Sequence, residues 1–101
     1  MRILVMFDLP VETSAQRREY RLFRKYLIKQ GFLMLQESNY CKMVPNSAAG
    51  DGVIMGLHAN KPPEGLVQVL KITEKQFAKM EYLVGKAKNN VINDDRRLII
   101  L

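Results

Sequence analysis

The chain opens with a strand-like run, Arg2 to Phe7, that is almost entirely apolar and is followed by Asp8. A short apolar run without polar alternation is typical of a strand that is covered on both faces. The following Leu9-Pro10 ends the strand, because proline has no amide hydrogen to donate to a neighbouring strand. A strand of this kind needs packing partners, so it constrains what the rest of the chain must form.

A long helix is predicted next, in the segment VETSAQRREYRLFRKYLIKQG. Thr13 or Ser14 can cap its start, and Gly31 can adopt the left-handed conformation that ends a helix. Apolar side chains recur at helical spacing and predict a stripe that faces the core. The stripe comprises Ala15, Tyr20, Leu22, Phe23, Tyr26 and Leu27.

Two short apolar runs, 32–35 and 39–44, lie on either side of Gln-Glu-Ser, which suits a bend or a tight hairpin. Ser47 can then cap a second helix, AAGDGVIMGLHAN, although glycine in a helix interior costs up to about 1 kcal/mol relative to alanine. The segment LVQVLKI predicts another strand, and TEKQFAKMEYLVG is predicted to be helical or irregular.

The predicted order of core elements is strand, helix, strand, strand, helix, strand. This order is typical of an α+β, ferredoxin-like βαββαβ sandwich, with both helices on one face of a four-stranded antiparallel sheet. The 101 residues are expected to form a single domain, with its core in about 1–80 and a linker and strand in about 86–101. A sheet edge, such as that of a second copy, is the predicted partner of the last strand. That strand comprises Arg97, Leu98, Ile99, Ile100 and Leu101.

The net charge of +6 favours a polyanionic partner, and the alternative is a basic protein that is merely soluble. No apolar run is long enough to cross a membrane, and no signal peptide is recognisable, so a cytoplasmic location is expected. The single cysteine, Cys41, excludes an internal disulfide and a cysteine-based zinc cluster within one chain. Cys41 is expected to be a core thiol, and His58, which has no partner base or ligand nearby, is expected on the surface.

Asp8 is the leading candidate for a catalytic and metal-binding residue. An ionised carboxylate at a strand end costs free energy unless a cation or hydrogen-bond donors stabilise it. Two copies of Asp8 that face each other near a twofold axis would offer the oxygen ligands that Mg²⁺ or Mn²⁺ prefers. A metal there could activate water for phosphodiester cleavage. The alternative is that Asp8 caps the following turn or the start of the helix.

The basic residues of the first helix are candidates for binding phosphate groups, because Lys and Arg supply sequence-independent affinity for nucleic acids. The alternative is a solvated helix face. These candidates are Arg17, Arg18, Arg21, Arg24 and Lys25.

Several segments together resemble the second CRISPR-associated protein, the Cas-two family. The opening strand ends in Phe-Asp and precedes a turn and an Arg-rich helix. The segment FLMLQESNYCK, with Phe32, Gln36, Ser38 and Tyr40, resembles the hairpin of the family. The segment KPPEGLVQVLKITEKQFAKMEYLVG resembles the branch that is found with type II systems. One departure is Phe7, because many members carry tyrosine before the aspartate.

This resemblance implies a ferredoxin-like homodimer in which the C-terminal strand of each chain completes the sheet of the partner. It also implies that Asp8 from each subunit binds a divalent metal, usually Mg²⁺, with Phe7, Phe32 and Ser38 as supporting residues. Family members are metal-dependent endonucleases that act on RNA or on double-stranded DNA. Their biological role is spacer acquisition, in which the dimer bridges two dimers of the Cas-one integrase and holds the captured DNA duplex.

Three other functions stay open from the sequence. The chain could be a purely structural nucleic-acid bridge in which Asp8 has no catalytic role, so whether it is an enzyme is not decided. It could be a ribonuclease toxin of the same fold. Single-stranded RNA is a further candidate partner besides double-stranded DNA. A ferredoxin-like module that binds a small metabolite is disfavoured by the net charge and the Arg-rich helix.

Overall fold

A computed structural model describes residues 1–86 of the chain and shows a four-stranded antiparallel sheet in the order β2-β3-β1-β4. This topology confirms the predicted ferredoxin-like fold. The predicted C-terminal strand, residues 97–101, lies outside the described residues. The elements are β1 (Arg2–Asp8), α1 (Ser14–Lys29), β2 (Leu33–Gln36), β3 (Asn39–Met43), α2 (Ser47–Ala59), β4 (Leu66–Ile72) and α3 (Glu74–Ala78).

Strand β1 lies in the middle of the sheet and pairs with β3 on one side and β4 on the other. Its side chains alternate between the two faces of the sheet. Ile3, Val5 and Phe7 are buried in the core cluster that also contains side chains of α1 and α2. Leu4 and Met6 point to the other face and are only half-buried. The sequence predicts that both faces of β1 are covered. Within residues 1–86, only the face that packs against α1 and α2, the helix side, is completely covered.

Helix α1 begins at a capping box. The N-cap is Thr13, whose hydroxyl accepts a hydrogen bond from the backbone N–H of Gln16 at 3.1 Å. Gly31 ends the helix as predicted, with a φ of +92°. The buried stripe is narrower than expected, because Phe23 and Leu27 are buried whereas Leu22 is 46% exposed.

Helix α2 forms over Ser47–Ala59 in spite of its three glycines. Its N-cap is Asn46 instead of the predicted Ser47, because the Asn46 side chain accepts a hydrogen bond from the backbone N–H of Ala49 at 2.8 Å. Gly50 packs on the sheet, where an added Cβ would lie 3.1 Å from Ile3 Cδ1. The close approach of α2 to the sheet therefore compensates for its weak helix propensity.

The short helix α3 is tied to the sheet by Arg2. Its Nε donates to both carboxylate oxygens of Glu74 at 3.0 Å, and its guanidinium lies 3.9 Å from the ring centroid of Phe77. Burial lowers the pKa of Arg2, but hydrogen bonds with Cys41 and Glu74 raise it more, so the pKa lies above its ordinary value. The segment predicted to be helical or irregular thus contains one short, anchored helix.

The face of the sheet opposite α1 and α2 carries several exposed apolar side chains. Leu33, Met43, Leu66 and Leu70 are between 50% and 64% exposed. The register places all four on the same face as Leu4. We call this surface the open face. In the part of the chain that the structure describes, no helix has the length and apolarity that a membrane crossing requires.

Candidate functional site

Asp8 is the last residue of β1 and its side chain is exposed. It pairs with Leu66 of β4, and the alternation along β1 places it on the same face as Leu4 and Met6. The carboxylate therefore emerges at the end of the central strand, on the open face. It makes no hydrogen bond and no ion pair with any residue of 1–86.

The backbone around Asp8 is held by two loops from other parts of the chain. The backbone N–H of Phe7 donates to the carbonyl of Ser38 at 3.0 Å, and Ser38 adopts a left-handed φ of +66°. Gly65, with a φ of +100°, lies against the turn that follows Asp8. A Cβ at Gly65 would meet Leu9 Cδ2 at 2.7 Å and the carbonyl oxygen of Asp8 at 3.0 Å. Only glycine fits here without displacement.

The loop between β1 and α1 is clamped by two side chains of α1. Arg17 Nη1 donates to the backbone carbonyls of Val11 and Glu12 at 3.1 and 3.0 Å. The Gln16 side chain accepts from the backbone N–H groups of Glu12 and Thr13, and its Nε2 donates to Glu64 at 2.8 Å. These bonds join the loop after β1, helix α1 and the turn before β4. They therefore hold the segment that follows Asp8 against α1.

Neither Gly65 nor Gln16 is identified as a site residue from the sequence alone. The Thr13-x-x-Gln16 spacing of a capping box is a recognisable signal for Gln16. For Gly65 the only signal is the Glu-Gly pair before a strand, which is common to many turns.

Phe7 lies in an aromatic cluster behind Asp8. Its ring centroid is 5.3 Å from that of Phe23 and 6.0 Å from that of Tyr20, both edge-on, and 5.8 Å from that of Tyr40 in a stacked arrangement. Arg24 Nε donates to the hydroxyl of Tyr40 at 3.0 Å. The cluster gives the end of β1 a rigid support, with Phe7 pointing away from the open face.

Four cations of α1 project outward, away from the core, and none of them makes an ion pair with the described residues. Their spacing of three or four residues places them along one side of the helix. We call this surface the basic stripe. It comprises Arg18, Arg21, Lys25 and Lys29. Arg17 and Arg24 also belong to the predicted phosphate-binding set, but both donate hydrogen bonds within the chain.

The other sequence candidates lie away from Asp8. Phe32 is 3% exposed and precedes β2, where its backbone N–H donates to the carbonyl of Leu27. Cys41 is buried, as predicted, and burial raises the pKa of its thiol while a hydrogen bond from Arg2 opposes this effect. His58 is exposed on α2, also as predicted. Phe32 therefore supports the core between α1 and β2, whereas Ser38 supports the end of β1.

Among residues 1–86, one chain does not supply a complete metal site. No group of three His, Cys, Asp or Glu side chains that could hold a metal ion occurs among residues 1–86. Asp8 alone offers one exposed carboxylate. Two such carboxylates with water ligands fit Mg²⁺, which keeps several of its waters when it binds to proteins.

Comparisons with known proteins agree on one family. The family model described as CRISPR associated protein Cas2 matches residues 1–80. A protein of Treponema denticola named CRISPR-associated endoribonuclease Cas2 is 52% identical over 101 residues and covers 100% of both chains. A protein of the same name from Streptococcus mutans serotype c is 44% identical and covers 100% of this chain and 93% of its own length.

A solved structure agrees with the fold. The crystal structure of Streptococcus pyogenes Cas2 at pH 6.5 matches with a TM-score of 0.58 and 21% identity, and covers 83% of this chain and 100% of its own. The structural match supports the fold, and the sequence matches support the family assignment. Together with the family match over residues 1–80, they show that the chain belongs to the CRISPR associated protein Cas2 family.

Proposed function

We propose that this chain acts in CRISPR spacer acquisition as a homodimer that binds duplex DNA and bridges dimers of the Cas-one integrase. We further propose that the dimer has Mg²⁺-dependent endonuclease activity at its two Asp8 carboxylates. Membership of the Cas2 family supports a role in a CRISPR system, and the relatives are named endoribonucleases. The observation that supports nucleic-acid binding most directly is the basic stripe.

The basic stripe suits a phosphate backbone in both charge and length. Its ends, Arg18 and Lys29, are about 16 Å apart along the axis of α1, at 1.5 Å per residue. One strand of B-DNA places a phosphate about every 3.4 Å of axis, so the stripe spans about five phosphates. Like charges at this spacing destabilise an isolated helix by a few tenths of a kcal/mol per pair. A bound polyanion would remove this repulsion.

The open face supports the proposed dimer. Its exposed apolar side chains lie on β2, β3 and β4, and Leu66 pairs directly with Asp8. Within the described part of the chain, β4 pairs only with β1, so its outer edge has free backbone groups. A second copy that covers this face, with residues 97–101 on a sheet edge, would bring the two Asp8 residues towards one another.

In this dimer, Asp8 from each subunit would hold Mg²⁺ or Mn²⁺. The metal would supply a nucleophilic water for phosphodiester hydrolysis when it is bound. The chain's own part is to hold each carboxylate in place through Gly65, Ser38 and the Arg17 clamp. The exposure of Asp8 in a single chain leaves its carboxylate accessible to a metal ion that the two subunits would share.

A purely structural bridge is the second candidate function. It is favoured by one observation: among residues 1–86, Asp8 belongs to no group of three His, Cys, Asp or Glu side chains that could hold a metal ion. A binding protein needs the basic stripe but not the carboxylate, so the two functions differ in their dependence on Asp8.

The two functions can be separated by comparing two variants. We expect Asp8→Asn to abolish Mg²⁺-dependent cleavage of single-stranded RNA or duplex DNA, while duplex binding is kept. We expect Arg21→Gln combined with Lys25→Gln to weaken duplex binding and to reduce the magnitude of the negative slope of log K against log salt concentration by about two. The measurements are gel-based cleavage and fluorescence anisotropy over a salt series.

Lys61→Gln is the control for the loss of a surface cation. Lys61 is exposed and follows the end of α2, and it does not belong to the basic stripe. Cleavage that survives Asp8→Asn would contradict the metal site. An unchanged salt slope in the double variant would contradict the binding surface. Absence of cleavage in every version, with stripe-dependent binding, would leave the structural bridge as the function.

A further inference from the structure

Two lysines flank Ile3 on the helix side of the sheet. Lys42 of β3 and Lys71 of β4 both pair with Ile3 in the strand register. The ammonium group of Lys71 donates to the hydroxyl of Ser47 at 2.7 Å and forms an ion pair with Asp51. Helix α2 therefore supplies a carboxylate for one of these two equivalent lysines.

Lys42 has no such counterion among residues 1–86. Its Nζ donates to the backbone carbonyl of Gln30 at 2.7 Å, at the end of α1. An ammonium group has three N–H donors, so this bond leaves two available. Lys42 is only half-exposed, and a partly desolvated cation favours an anion as a further partner.

A cleft of about 270 Å³ opens beside Lys42, between the end of α1 and α2. The Tyr26 hydroxyl makes no hydrogen bond with the described residues. Gly52 leaves the cleft wide, since an added Cβ would meet no atom within 4 Å. The residues that line the cleft include Tyr26, Phe32, Lys42, Gly52, Val53 and Gly56.

The chemistry of this lining combines one cation with aromatic and aliphatic surface. A phosphate group suits the ammonium of Lys42. A flat ring suits the half-buried side chains of Tyr26 and Val53, because nucleobases stack on aromatic side chains. The cleft is large enough for one nucleotide and too small for a helix or a strand of a partner. Lys29, at the end of the basic stripe, precedes the cleft residue Gln30.

We propose that this cleft binds a nucleoside monophosphate, either as a free mononucleotide or as the phosphorylated end of a nucleic-acid strand. The phosphate lies at Lys42 and the base lies against the apolar lining. The site is separate from Asp8, because Ile3 and Asp8 are five residues apart on β1, or about 17 Å. The proposal goes beyond the proposed function and does not depend on metal-assisted cleavage at Asp8.

The test is an NMR titration of the full chain with adenosine 5′-monophosphate. We expect saturable shifts at the amides of Phe32, Lys42 and Gly52. Lys42→Met should weaken binding about tenfold, as expected for the loss of a charged hydrogen bond. Lys61→Met is the matched control, since Lys61 Nζ also donates to a carbonyl at a helix end, that of His58 at 3.0 Å, but does not line the cleft.

A second variant and two oligonucleotides complete the test. Gly52→Leu fills the cleft from an open position on α2 and should abolish the shifts while the fold is kept. A 5′-phosphorylated duplex that shifts the same amides, when its unphosphorylated form does not, would assign the ligand as a strand end. Shifts with the mononucleotide alone would assign it as a free nucleotide. The proposal is overturned if Lys42→Met binds as tightly as the wild type, or if inorganic phosphate or adenosine binds as well as the nucleotide.

Discussion

The two faces of the sheet differ in how completely one chain covers them. On the helix side, Ile3 and Val5 of β1 are fully buried beneath α1 and α2, together with Leu27. On the open face, Leu66 and Leu70 of β4 are about half exposed. A single chain thus completes one hydrophobic core and leaves an apolar surface on the opposite side.

The residue with the greatest chemical interest lies on the incomplete side. Asp8 shares the open face with Leu4 and Met6, whereas its neighbour Phe7 points into the aromatic cluster. Consecutive residues of a strand point to opposite faces. Phe7 therefore supports the helix side, whereas Asp8 offers its carboxylate on the open face. The helix side therefore determines the position of Asp8, and the open face determines what Asp8 can meet.

The largest expected effect comes from matched leucine truncations on the two faces. Leu27→Ala removes a side chain with 0% exposure and should lower the free energy of unfolding by about 2–5 kcal/mol. Leu70→Ala removes a side chain that is 50% exposed and should cost less than about 1 kcal/mol in a dilute sample. Urea unfolding at several protein concentrations measures both.

The same experiment tests the function of the open face. If a second copy covers it, the cost of Leu70→Ala grows with protein concentration while that of Leu27→Ala does not, because association stabilises only the folded chain. Equal costs for the two variants in dilute samples would contradict the difference between the faces.

A smaller effect is expected at Gly65, which lies against the turn after Asp8. Gly65→Ala should lower the free energy of unfolding by about 1–3 kcal/mol, because it adds a Cβ at positive φ against Leu9 and Asp8. Gly85→Ala is the control, since Gly85 also has a positive φ, of +84°, but open space around it. Equal costs would show that backbone strain alone is responsible and that the contact with the Asp8 turn is unimportant.

The smallest expected effect concerns Cys41, which lies on the open face beneath Arg2. Burial raises its pKa, so we expect the thiol to titrate above the ordinary value of 9.0 and to react slowly with alkylating reagents at neutral pH. Since the folded state favours the neutral thiol, its contribution to stability is complete below pH 9.0 and is lost as the pH rises through the raised pKa.

The free energy of unfolding is measured from below pH 9.0 to above the raised pKa of the thiol, for the wild type and for Cys41→Ala. The wild type should lose stability more steeply than the variant. In addition, Arg2→Met removes the hydrogen bond that lowers the pKa of the thiol, so the pKa should rise further. Titration of the thiol at or below 9.0 would contradict the burial of this site.

The sequence predicted the fold well because its strongest patterns are local. The apolar run before Asp8 and the helical spacing of Phe23 and Leu27 each indicate one type of element, and the structure confirms both. The boundary of α2 was one residue off, because Asn46 and Ser47 are both good N-caps and only the structure shows which accepts the hydrogen bond.

The candidate site was predictable only in part. Asp8 was identifiable from its place after an apolar strand. The contacts of Arg17 with loop carbonyls and of Arg24 with Tyr40 were not, because residue type on an exposed helix does not reveal a partner in another segment. The role of Arg17 in phosphate binding stays a prediction, and it competes with a structural role. Gly65 was missed because its partners are distant in the chain.

The central position of β1 has a consequence for the order in which the chain is made. This strand is synthesised first, yet one of its two neighbours, β4, ends only at Ile72. Until ribosomes have passed that residue, the apolar strand lacks a partner along one whole edge, and such an edge favours pairing with the wrong chain. Because pairing over such a separation is slow, nascent chains are expected to be most prone to aggregation just before β4 emerges. A chain truncated within β4 is therefore expected to be less soluble than the full chain.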